Sequence, residues 1–138
     1  MASIAGPKPV CLLLIGLSEG LARTLARYVS GNPRIVLIGV APSIALASML
    51  APRNPPDLAL LDWGTLFGSP PETISELRRR FPGLRIICVA NEAEPYVTPA
   101  ARAGADAVIS KDSFAREFDF LLQLFFPERF GKPGGRNP

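Results

Sequence analysis

Two carboxylates bracket a short apolar run in Asp57-Leu58-Ala59-Leu60-Leu61-Asp62-Trp63. The turn-forming Asn54-Pro55-Pro56 leads into it. An apolar run this short, bounded by turn residues, reads as a strand buried on both faces. Asp62 then stands at the carboxyl end of that strand, the edge of an open α/β sheet where ligands bind. A carboxylate so placed reads as a catalytic or acceptor group. What it does depends on what other segments bring to the same edge.

The rest of the composition narrows that chemistry. There is no histidine, which removes the usual general base, metal ligand and triads. Cys11 and Cys88 both lie in apolar runs and read as small core residues rather than a redox pair. Two cysteines cannot build a structural zinc site. Gly16-Leu17-Ser18-Glu19-Gly20 has two glycines and a serine, but an acidic residue stands where a phosphate would lie. A flavin or nucleotide site is therefore not expected. The net charge of +3 is modest. Arg78-Arg79-Arg80 is the one dense basic run, at the end of a predicted helix, where cations complement the dipole. No aromatic residues interleave with it, so it reads as a solvated helix end and no direct nucleic-acid binding is expected.

The elements that must hold Asp62 follow from periodicity and caps. Residues 10–15 form an apolar first strand. Ser18 caps a helix over 19–30 whose inner face is Leu21, Leu25, Tyr28 and Val29. Residues 34–40 form the second strand, and a second helix is expected from Ala41-Pro42-Ser43 to about Leu50. After the third strand and a loop over 64–68, Ser69-Pro70-Pro71-Glu72 has the form of a capping box. It opens a helix to Arg80 with Ile74 and Leu77 inward. Residues 84–89 form the fourth strand. Pro99 would break a helix begun at Glu94, so only 99–103 is expected to be helical, closed by Gly104. Residues 106–109 form the fifth strand. Asp112 or Ser113 then caps a last helix to about Phe126. Residues 132–138 are rich in Gly and Pro and read as a flexible tail. Five strand-then-helix repeats imply one α/β domain, a parallel sheet covered on both faces. No apolar run is long enough to span a membrane and no signal peptide is recognisable, so a cytoplasmic location is expected.

These segments, in this order, resemble the receiver domain of bacterial two-component response regulators. The resemblance covers about 9–126, leaving 127–138 as a tail. It is carried by Pro56-Asp57-Leu58-Ala59-Leu60-Leu61-Asp62, by Pro71-Glu72-Thr73-Ile74-Ser75-Glu76-Leu77-Arg78 and by Phe81-Pro82-Gly83-Leu84-Arg85-Ile86-Ile87. Its last part is Arg102-Ala103-Gly104-Ala105-Asp106-Ala107-Val108-Ile109-Ser110-Lys111-Asp112. The Lys-Asp ending is similar to the subgroup whose receivers usually precede a helix-turn-helix domain. The resemblance implies a doubly wound, flavodoxin-like sheet of strand order 2-1-3-4-5. It also implies that Asp62 holds the phosphoacceptor position, and Lys111 the position of a lysine that contacts the phosphoryl oxygens.

The same resemblance exposes departures. Receivers carry an acidic pair after the first strand that binds magnesium, and here those places are Gly16 and Leu17. Magnesium needs hard oxygen ligands in octahedral geometry. It is expected only if Glu19 reaches in beside Asp62; otherwise Glu19 sits in the first turn of its helix and the chain has no cofactor. The hydroxyl expected at the end of the fourth strand is replaced by Ala90, with Asn91 one residue late. The mobile aromatic of the fifth strand is replaced by Val108. The expectation is a pseudo-receiver: no enzyme, but a protein-interaction module in which Asp62 and Lys111 form an ion pair. The alternative is an active receiver phosphorylated on Asp62 by a partner histidine kinase. Phe114, Phe118, Leu121, Leu122 and Phe125 form the core stripe of the last helix. Phe120 and Leu124 fall on a second line, either under the tail or on a widened core face, or exposed to dock a partner or a second copy. Trp63 either packs over the sheet edge or fills the space left by Gly16 and Leu17.

Overall fold

Five parallel strands meet in one sheet of order β2-β1-β3-β4-β5, the order the resemblance implies. The computed structural model describes residues 8–43, 55–64 and 69–131. In chain order the elements are β1 (Val10–Ile15), α1 (Glu19–Ser30), β2 (Ile35–Ala41), β3 (Leu58–Asp62), α2 (Pro70–Arg80), β4 (Arg85–Ala90), a 3-10 turn (Glu94–Tyr96), α3 (Val97–Ala103), β5 (Ala107–Ser110), α4 (Phe114–Phe125) and α5 (Pro127–Phe130). The helix expected up to Leu50, most of the loop over 64–68 and the tail over 132–138 lie outside the described residues.

β3 is the central strand, and all five of its residues are buried. Leu58, Leu60 and their neighbours Leu12, Leu14, Ile87 and Val89 pack against Leu25 and Val29 of α1 and Phe118, Leu121 and Leu122 of α4. Ala59, Leu61, Leu13, Ile15, Ile86 and Cys88 pack on the other face against Ile74 and Leu77 of α2 and Ala100 of α3. Alternate side chains of β1, β3 and β4 thus enter two separate cores, which is why these strands read as unbroken apolar runs. Burial pushes the Cys88 thiol up to about 12. Burial also raises that of Cys11, with Asp57 adding to it. Both cysteines are free. With β3 between their strands they sit two strand spacings apart, roughly 10 Å, beyond disulfide reach.

The helix caps follow the sequence with two differences. Ser18 Oγ accepts from Leu21 N at 3.3 Å, and Ser69 Oγ from Glu72 N at 3.4 Å. At α4 the capping position is Ser113, but its hydroxyl donates to Glu117 instead of accepting from the backbone. The helix expected over 99–103 begins at Val97, directly after the 3-10 turn. Pro99 is in the first turn of α3, where its missing N–H has no intrahelical partner to lose. Gly104 closes α3 with φ +117, donating to Ala100 O and Ala101 O. Residues 127–130, expected in the tail, form α5. Phe126 is buried and Phe130 packs on the core, and their burial holds that turn against the sheet.

The Arg78-Arg79-Arg80 run also divides. Arg79 and Arg80 pair with Glu76 on the surface of α2, as a solvated helix end would. Arg78 does not. Its Nη2 donates to Gly104 O at 2.8 Å and to Asp106 Oδ2 at 2.9 Å. Its Nη1 donates to Pro82 O at 3.0 Å and to Leu84 O. Asp106 in turn accepts from Ile86 N at 2.8 Å. One guanidinium therefore ties the ends of α2 and α3 to the start of β4. A planar five-donor fork can satisfy several carbonyls at once, and a run of three arginines does not reveal which one does so.

Candidate functional site

Because all five strands are parallel, their carboxyl ends share one edge of the sheet. That edge carries Gly16 after β1, Asp62 at the end of β3, Ala90 at the end of β4 and Lys111 after β5. Asp62 aligns with Val89 of β4, and Ala90 aligns with Ser110 of β5. This register brings residues 62 and 111, distant in sequence, to one point.

Asp62 is fully buried, and its Oδ2 lies 2.8 Å from Lys111 Nζ. The lysine side chain is 30% exposed. Asp62 Oδ1 accepts from Gly64 N at 2.9 Å. Oδ2 has no aligned hydrogen bond, so its contact with the ammonium is a charge contact. The carboxylate is thus neutralised within the chain by one cation and one backbone N–H. The expected ion pair is present, with Lys111 emerging from the carboxyl end of β5, where Lys111 N donates to Ala90 O at 2.9 Å.

At this edge Gly16, Leu17 and Ala90 offer no side-chain oxygen. Gly16 has φ +68, in the left-handed region, and its N donates to Ala41 O at 2.8 Å. It makes the turn out of β1 that an L-residue would resist. Leu17 turns back and packs on the core shared with α1 and α4. Glu19 does not reach the edge: its side chain is 90% exposed, 3.8 Å from Arg23. Among the described residues no group of three His, Cys, Asp or Glu is placed to hold a metal ion. Among the described residues Asp62 is the one carboxylate buried at this edge, and Lys111 lies against it.

A cleft of about 360 Å³ opens over the pair, bounded by Trp63, Ala90, Asn91, Glu92, Pro95 and Tyr96. Ala90 is 3% exposed and contributes only a methyl. Asn91 and Glu92 are exposed on the rim. Trp63 packs over the edge, its ring 5.1 Å from that of Tyr96 and tilted by 33°. It stacks towards the 3-10 turn and packs on the core shared with α2 and α3. Tyr96 and Glu92 were not legible as site residues. Both sit in the Pro-rich segment after β4, where sequence gives no periodicity to say which side chain turns inward.

A second feature lies on the edge strand. Val108 and its neighbours in β5, with Phe120 and Leu121 of α4, line an apolar groove of about 380 Å³. Phe120 is 51% exposed and Leu124, one turn on, is 49% exposed. Both face solvent rather than a widened core.

No family model matches the chain. Among curated proteins it is 30% identical over 104 residues to the DNA-binding transcriptional activator DevR/DosR of Mycobacterium tuberculosis, a match covering 75% of this chain and 48% of that protein. The chain spans about half the length of that relative. Among solved structures, a two-component response regulator of the LuxR family from Aurantimonas superposes with a TM-score of 0.73 at 19% identity, covering 88% of this chain and 89% of that one. The signal receiver domain of NarL from Mycobacterium tuberculosis gives a TM-score of 0.73 at 23% identity, covering 86% and 98%. The fold is the doubly wound, flavodoxin-like receiver fold.

Proposed function

We propose that this receiver-fold chain serves two-component, phosphorelay signal transduction as an atypical receiver whose output does not depend on phosphorylation. It is no enzyme but a protein-interaction module. The observation that carries this reading is the closed pair of Asp62 and Lys111, 2.8 Å apart, at an edge without side-chain oxygens from Gly16, Leu17 or Ala90. A carboxylate already neutralised, with no further ligands for a metal, is held in one state. Val108 has no long arm to move in response to an event at Asp62. Partner recognition then falls to the surface, and the exposed Phe120 and Leu124 beside the β5 groove supply an apolar face for it. The partner is a protein of the signalling pathway, a histidine kinase among the candidates, or a second copy of the chain. No direct nucleic-acid contact belongs to this reading, and it sets the domain in the cytoplasm. Among the described residues no helix is long and apolar enough to cross a membrane.

Retention of both Asp62 and Lys111, opening together onto the cleft, favours a second reading: a partner histidine kinase phosphorylates Asp62, and Lys111 contacts the phosphoryl oxygens. Titration with beryllofluoride, with and without magnesium, separates the two by backbone amide shifts. The first reading expects no magnesium-dependent change at Asp62 and Lys111. Saturable, magnesium-dependent changes there would refute it and establish the second.

A further inference from the structure

At the amino-terminal edge of the sheet, opposite Asp62, three cations from three separate parts of the chain meet in a cleft of about 290 Å³. Lys8 precedes β1, Arg34 precedes β2, and Arg129 belongs to α5. None of the three is within ion-pair distance of a carboxylate among the described residues. Arg27, Arg102 and Arg116 also lack such a partner but stand apart on helix surfaces, whereas Lys8, Arg34 and Arg129 line one cleft. Among the described residues Glu128 is the single carboxylate lining the cleft. Arg129 also lies over the Phe126 ring at 5.6 Å, which fixes its guanidinium against the core.

We infer that this cleft is a binding site for a dianionic phosphate group, carried by a small phosphomonoester or present as free phosphate. Three cations against one carboxylate leave two positive charges to be balanced. A phosphomonoester carries between about −1.5 and −2 at neutral pH, whereas a simple carboxylate carries one. Two guanidinium forks and one ammonium match three phosphoryl oxygens in number. The volume of about 290 Å³ falls just below the range for small-ligand pockets, roughly 300–1,000 Å³, so the ligand is small. Arg129 and Lys8 also bear on the Cys11 thiol, each lowering a pKa that burial and Asp57 raise, so their charge is felt at the start of β1. Gathering like charges without a counter-ion is unfavourable by itself, and a bound dianion removes that cost.

The test is an amide-shift titration of the full chain with inorganic phosphate and, separately, phenyl phosphate, against sodium chloride at matched ionic strength. Saturating shifts at Lys8, Arg34 and Arg129 with either phosphate support the site. Tighter binding of phenyl phosphate identifies an organic carrier, and equal binding identifies the phosphate group alone. Arg34→Gln and Arg129→Gln should each weaken binding about ten-fold, while Arg129→Lys keeps the charge and most of the affinity. Arg34 is exposed, so its variant retains the fold. Shifts no larger than those given by chloride, or unchanged affinity in Arg34→Gln, overturn the inference.

Discussion

The pair at the centre of the site is asymmetric in burial, and that asymmetry predicts an asymmetric response to mutation. Asp62 is fully buried and Lys111 is 30% exposed. Lys111→Met keeps the stem and removes the cation, leaving a buried carboxylate with only Gly64 N at 2.9 Å. Breaking a fully buried pair costs about 3–5 kcal/mol. Water reaches the lysine end here, so the expected cost falls to about 1–3 kcal/mol. For a chain of this size that lowers Tm by roughly 3–12 °C. Asp62→Asn preserves shape and the Gly64 contact, and it leaves behind a lysine that can turn to solvent. Its expected change is within about 1 kcal/mol of zero, of either sign. The double variant should match Asp62→Asn, because with no carboxylate there is nothing for Lys111 to neutralise. Urea unfolding followed by fluorescence measures this directly, since Trp63 is the one tryptophan and adjoins the pair. Far-UV circular dichroism of the same samples checks that the transition is two-state. A Lys111→Met midpoint equal to that of the parent, or Asp62→Asn more damaging than Lys111→Met, would refute the reasoning.

Three further outcomes follow from other parts of the molecule. Arg78→Ala strips donors from Gly104 O, Pro82 O and Leu84 O together and leaves Asp106 without its 2.9 Å partner. It should cost about 2–4 kcal/mol in urea unfolding, whereas Arg79→Ala should change stability by less than about 0.5 kcal/mol. Above about pH 9 an unfolded Cys88 ionises while the folded thiol, pushed up to about 12, does not. The unfolded chain then holds fewer protons, so stability falls as pH rises from about 9 towards 12. Partly buried Tyr28, raised by burial and by donating to Asp119, adds to the fall. Cys88→Ala should flatten this alkaline slope in denaturation curves taken at pH 8 and pH 10. Finally, Phe120→Glu with Leu124→Glu should leave stability within about 0.5 kcal/mol and weaken any self-association seen by sedimentation. An unchanged solution mass would count against that surface as a self-contact.

Much of the fold is written locally. Apolar runs at 10–15 and 58–62, the Ser18 and Ser69 caps and the Gly104 stop each depend on a few adjacent residues. Short-range physics suffices for them, and the alternation of strand and helix then leaves few ways to cover the sheet. Where a boundary moved, a local rule met a context it did not include. Pro99 breaks helices, but not in a first turn. Ser113 caps helices, but here Glu117 takes its hydroxyl.

The sequence by itself determined the sheet, its two apolar cores, and the side chains present and absent around Asp62. Residue types cannot be changed by folding, so the presence of Gly16 and Leu17 after the first strand is settled in one dimension. Only the tertiary structure decided what meets what. Parallel register carried Lys111 to within 2.8 Å of Asp62, swung Trp63 onto Tyr96 and left Glu19 in solvent. It also separated Arg78 from its two neighbours and gathered Lys8, Arg34 and Arg129 at the far edge. Such contacts join residues tens of positions apart. Their geometry is set by strand order and side-chain direction, which no local spacing encodes.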